Sequence, residues 1–151
     1  MDIEEIKLKI KNSKEEKDRV KVKSMITNYI TKATLILGSN YQNDAESIVR
    51  DAKILKNDVE NGVFNDIMTY ERKYYDLNQR LQKLIGIKQE EYMRYVNVIT
   101  ISNITREEAS RVFNIHSEVN EYMSVNLTRA MTALSRIGRL MINNSIETKK
   151  K

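Results

Sequence analysis

The sequence predicts an all-α protein, an elongated helical bundle or antiparallel coiled-coil-like hairpin with two long helices and additional N-terminal helices. Three observations carry that expectation. The 151 residues include no Pro and only four Gly, so the two main helix breakers are nearly missing. Along two long segments the apolar residues recur every three or four positions, the period of a helix face and not of a strand. Two capping boxes, Ser13-Lys14-Glu15-Glu16 and Thr105-Arg106-Glu107-Glu108, mark helix starts.

Taken in order, the first element is a short helix to about residue 11, carrying Ile3, Ile6 and Ile10 on one face. A second follows over 14–37, separate or fused, with Met25, Ile26, Tyr29, Ile30, Ala33, Ile36 and Leu37 as its apolar stripe. Gly38 stands where a left-handed C-cap is expected, and Asn43-x-x-Glu46 signals a restart. The next stripe runs Ala45, Ile48, Ala52, Leu55, Val59, Val63, Ile67, Tyr70, Tyr74, Leu77, Leu81 and Leu84. Its phase passes through Gly62 without slipping, and one Gly costs a helix only about 1 kcal/mol against Ala. The expectation is therefore one helix over 44–85, capped at Gly86, with a break at Gly62 as the alternative.

Tyr92, Tyr95, Val96 and Ile99 continue a helical face to about residue 100, where Ser102-Asn103 reads as a turn. The last helix opens at the Thr105 capping box and spans 106–142. Its stripe is Ala109, Val112, His116, Val119, Met123, Leu127, Ala130, Leu134, Ile137 and Met141. Asn143-Asn144 is expected to end it and 144–151 to form a flexible basic tail, the whole chain being a single domain. Glycines 38, 62 and 86 are evenly spaced, but the segments between them share little chemistry, so no repeat is inferred.

Helices of this length cannot bury their stripes in a compact globule, whose radius of gyration would be only about 15 Å. Either the molecule is an elongated bundle or the stripes are shared between chains. A homo-oligomer is the corresponding expectation.

Chemistry is sparse. Without Cys there are no disulfides, thiolate nucleophiles or Cys-based metal sites. The one histidine, His116, lies on the apolar seam of the last helix. It is read as a seam residue hydrogen-bonded to a neighbouring helix, with a pH-sensing or ligand role as the minority alternative. His116-Ser117-Glu118 has the His-x-Glu spacing of a zinc deaminase, but that site also needs Cys. No phosphate-binding Gly-rich loop is present, and a calcium loop centred on Gly62 would need Val59 and Met68 as ligands. Glu90-Glu91 and Glu107-Glu108 point in different directions from a helix and read as solvated charges or caps. No catalytic residue, metal site or cofactor is assigned.

Basic residues carry the partner signal. Net charge is +5, and no acid stands between Glu121 and Glu147, while Arg129, Arg136 and Arg139 do, followed by Lys149, Lys150 and Lys151. Arg129 and Arg136 share a face. Tyrosines interleave with cations at Tyr70 to Tyr75 and Tyr92 to Tyr95. Tyr70 and Tyr74 fall on the stripe, leaving Tyr75, Arg94 and Tyr95 as candidate exposed stacking members. The N-terminus is charged and no apolar run is long enough to span a bilayer, so a cytoplasmic, soluble protein is expected. The favoured function is a non-enzymatic, self-associating binding protein that acts as a scaffold, adaptor or inhibitor of another macromolecule. The alternative is a nucleic-acid or nucleotide-binding protein using the basic last helix. A peripheral membrane protein using residues 127–142 as a basic amphipathic helix ranks third.

Overall fold

The computed structural model describes the backbone of residues 2–62 and 67–150 and the side chains of 2–62 and 67–143. Its elements are α1 (Ile3–Leu37), α2 (Tyr41–Asn61), α3 (Ile67–Ile99) and α4 (Arg106–Lys150), with no strand among the described residues. The all-α expectation holds.

Side-chain contacts set the topology. Starting at the α3–α4 turn, Arg19 meets Asn103 and Glu108, and Tyr29 meets Glu91 beside His116. Tyr41 then meets Leu84 and Tyr122, Asp51 meets Arg80, and Tyr70 reaches the Asp58 carbonyl. As numbers rise through α1 and α2, they fall along α3 and rise along α4. The first two helices are thus one segmented rod, antiparallel to α3 and parallel to α4, in a three-rod bundle.

The stripes face inward. Ala45, Ile48, Ala52, Leu55 and Val59 of α2, Leu77, Leu81 and Leu84 of α3, and Val112, Val119, Met123, Leu127, Ala130, Leu134 and Ile137 of α4 are all buried. The bundle takes the elongated solution and covers its long stripes within one chain.

Boundaries differ from expectation in several places. The 44–85 helix does not form as one piece. Gly62 adopts φ 60°, ψ 31°, and its N–H reaches the Asp58 carbonyl, closing α2 in a left-handed C-cap. Residues 63–66 lie outside the described residues, as does the stripe position Val63, and Ile67 is exposed. Gly86, expected as a cap, sits inside α3. At the N-terminus α1 is continuous, so Ser13 starts no helix; the cap is Asp2, whose carboxylate accepts from the Glu4 N–H. Gly38 is not left-handed (φ −98°), and α2 begins at Tyr41, two residues before the predicted Asn43 restart. The backbone of α4 runs through Asn143-Asn144 to Lys150.

The second capping box forms as predicted. The Glu108 N–H donates to Thr105 Oγ1 at 3.2 Å, and the Thr105 N–H donates to Glu108 Oε1 at 3.1 Å.

Candidate functional site

Two arrangements in the bundle carry chemistry, one buried and one exposed. The buried one joins all three rods. Tyr29 Oη of α1 donates to Glu91 Oε1 of α3 at 2.6 Å, and His116 Nδ1 of α4 lies 3.1 Å from the same oxygen. The Tyr95 ring stacks on His116 with centroids 3.7 Å apart and 8° between planes. Glu91 is 0% exposed and His116 9%, while Glu91 Oε2 is buried without a partner. Burial, reinforced by the hydrogen bond and charge of Glu91, pushes the Tyr29 hydroxyl far above its ordinary range, so it stays a donor.

This cluster confirms His116 as a seam residue bonded to a neighbouring helix. It corrects two other expectations. Glu91 is not a solvated charge, because its position on α3 falls between Leu84 and Val98 on the inner face. Tyr95 is packed against the core and stacked on His116, so it is not an exposed stacking platform. Arg94, half-buried, pairs with Glu90 at 3.1 Å. Among the described residues no three metal-ligating side chains come together. The Tyr29–Glu91–His116 group is a polar layer that ties the three rods in register, the best-attested use of buried polar residues in helical bundles.

The exposed arrangement lies at the other end, between α2 and α4. Small residues on the inner faces, Ala45 and Ala52 of α2 and Ala130 of α4, are fully buried and let these two helices pack closely. Their outward flanks form an open groove of about 390 Å³, lined by Val49, Ala52, Lys53 and Lys56 of α2 and Thr128, Arg129, Thr132, Ala133 and Arg136 of α4. The floor is apolar and the rim is cationic, with two threonines as hydroxyl donors. No acid lines it. A second depression shares Thr128, Thr132 and Arg136 and adds Arg139, extending the basic strip along α4.

The structure thus brings Arg129, Arg136 and Arg139 together and adds Lys53 and Lys56, which the sequence reading missed. Lys56 lies 3.8 Å from Glu60, a loose surface pair; Lys53 and the three arginines enter no ion pair among the described residues. The signal that could have found the lysines was their flank position beside Ala52, one step from the stripe facing α4. The other predicted members lie elsewhere. Tyr75 is exposed on α3, and Arg94 and Tyr95 sit at the level of His116, roughly 30 Å along α4 from Arg136. The backbone of Lys149 and Lys150 belongs to α4, but their side chains, like the whole of Lys151, lie outside what the structure describes.

No helix of the described residues is long and apolar enough to cross a membrane. Neither a protein-family model, nor a curated protein, nor a solved structure matches the chain.

Proposed function

We propose that this is a non-enzymatic binding protein that holds the phosphate backbone of a nucleic acid along the α2/α4 groove. The observation that carries the reading is the convergence of Lys53, Lys56, Arg129 and Arg136 on one groove with no lining acid. Arg129 and Arg136 are seven residues apart, about 10 Å along the helix, and Arg139 extends the strip. Cations distributed over that length suit a repeating anion better than a single carboxylate or phosphate. The hydroxyls of Thr128 and Thr132 add neutral donors of the kind that contact phosphate oxygens. Among the described residues no aromatic side chain lines the groove, so they offer neither a base-stacking platform nor the buried anchor of a protein-binding hot spot. Binding should accordingly be insensitive to sequence.

The test is fluorescence anisotropy with single-stranded DNA, duplex DNA and single-stranded RNA, at low and physiological salt. Changing Lys53, Lys56, Arg129 and Arg136 to Gln should weaken binding uniformly across sequences. On duplex DNA it should also flatten the log–log salt slope by about 3 to 4, one phosphate contact being worth roughly 0.9. As a charge control, Lys32→Gln and Lys83→Gln, at exposed positions on α1 and α3, should change little. Unaltered affinity and slope in the fourfold variant would remove the groove from consideration.

A further inference from the structure

We propose that the N-terminal part of α1 pairs antiparallel with the same segment of a second copy of the chain, joining two bundles end to end. This stands on observations separate from the basic groove. Arg19 lies at the level of the α3–α4 turn, since its guanidinium donates to the Asn103 carbonyl at 2.8 Å. Residues 3–18 therefore project past the bundle for about 24 Å, and all of them are exposed. A free-standing helix of that length is marginal in water, and this one exposes Ile3, Ile6 and Ile10.

The apolar face of the projection is not a continuation of the bundle seam. Val22, Ile26, Tyr29, Ala33 and Ile36 face the bundle. Ile3, Ile6, Ile10 and Val20 lie roughly 150° away around the helix, at about 100° per residue. With Ser13 and Lys17 they complete a separate 3,4-spaced seam, open on the far side of α1, where a partner helix meets no part of its own bundle. All four of its apolar members are exposed, Ile10 at 64%.

Two features identify the occupant as a second copy. First, the seam is self-complementary in antiparallel register. Ile3 meets Val20 of the second copy, Ile6 lies along the stem of its Lys17, and Ile10 meets its Ser13. A shallow depression at the centre of the seam is lined by Ile10 and Ser13 with Lys9, Lys14 and Lys17. It can receive the Ile10 side chain of the second copy as a knob in a hole. Second, the seam's edges carry charges that pair, on balance attractively, with those of a second copy. One edge bears Asp2, Lys9, Glu16 and Lys23, the other Lys7, Lys14 and Lys21. Antiparallel helices set each edge against its own counterpart. The first edge then makes four attractive pairings, Lys9 with Glu16 and Asp2 with Lys23, each twice by symmetry; the second makes two repulsive ones, between Lys7 and Lys14. A parallel pair would have the same edge balance, with Asp2 facing Lys7 and Glu16 facing Lys21 in attraction and Lys9 facing Lys14 in repulsion. It would, however, stack Lys17 on Lys17 in the seam, and that like-charge contact selects the antiparallel arrangement.

The decisive experiment is sedimentation velocity on the full chain over a range up to high micromolar concentration. A concentration-dependent dimer is expected, and I6E/I10E should reduce it to monomer. Because those side chains touch nothing in the bundle, the variant should keep the wild-type thermal transition, read by circular dichroism. K9E should weaken the dimer on the order of tenfold by replacing attraction with repulsion on the first edge, and K9E/E16K should restore it. A wild-type chain that stays monomeric, a dimer indifferent to I6E/I10E, or a dimer tightened by K9E would each overturn the proposal, the last because it reports parallel pairing.

Discussion

At the scale of single residues, the polar layer and the Thr105 cap make separable predictions. Tyr29→Phe removes the hydroxyl that α1 donates to Glu91 and leaves that buried carboxyl more poorly satisfied. It should cost about 1–3 kcal/mol of stability, measured by urea unfolding. Glu108 is held by the Arg19 guanidinium and by Thr105, which together bring its carboxyl down from 4.5 to about 2. A depressed carboxyl stabilises the fold above its unfolded value and loses that contribution as pH falls. The wild-type chain should therefore lose stability between pH 4.5 and about 2, and Glu108→Gln should be flatter through that window in melting temperature against pH. His116 and the Thr105 box were legible in the sequence because each is defined by its own helix. Glu91 was not. Its burial depends on Tyr29, 62 residues away, and an acid beside Glu90 carries no sign of that partner.

For whole elements, the contrast between two glycines is the informative case. Gly62 has a left-handed backbone, while Gly86 sits inside α3 with nothing within 4 Å of an added Cβ. Gly62→Ala should destabilise by about 1 kcal/mol through φ strain, and Gly86→Ala should stabilise by a similar amount through helix propensity. Opposite shifts in denaturant midpoint would check both. The stripe over 44–85 hid the break because its phase is the same on both sides: Val59 and Tyr70 are both buried although α2 closes at Gly62 between them. Periodicity reports which residues go inside, and it is blind to a helix end that leaves the phase unchanged. Tyr41 was missed for the converse reason. It falls between two stripes, yet its hydroxyl donates to the Leu84 carbonyl at 3.2 Å and pins the joint between α1 and α2.

Over the whole molecule, length dominates. With 45 residues, α4 alone spans about 70 Å, so small-angle scattering should give a maximum dimension at least that large even for a monomer. A compact particle with a radius of gyration near 15 Å would contradict the fold. The basic strip was half legible. Its α4 members stood out as a stretch without acids, but its α2 members are recognisable only once α2 is known to lie beside α4.

That neighbour relation also governs how the protein can be made. The inner faces of α1 and α2 are completed by α4, which is synthesised after them. Ribosomes add about 5–20 residues per second and domains fold in order of synthesis. A nascent chain that ends after α3 therefore displays Ile48, Ala52, Leu55, Leu81 and Leu84 along an unfinished trough. Residues 1–100 must wait, apolar side uncovered, for α4 to leave the tunnel. A chain ending before Arg106 should therefore be cleaved by added protease faster than the full chain, because its trough stays uncovered.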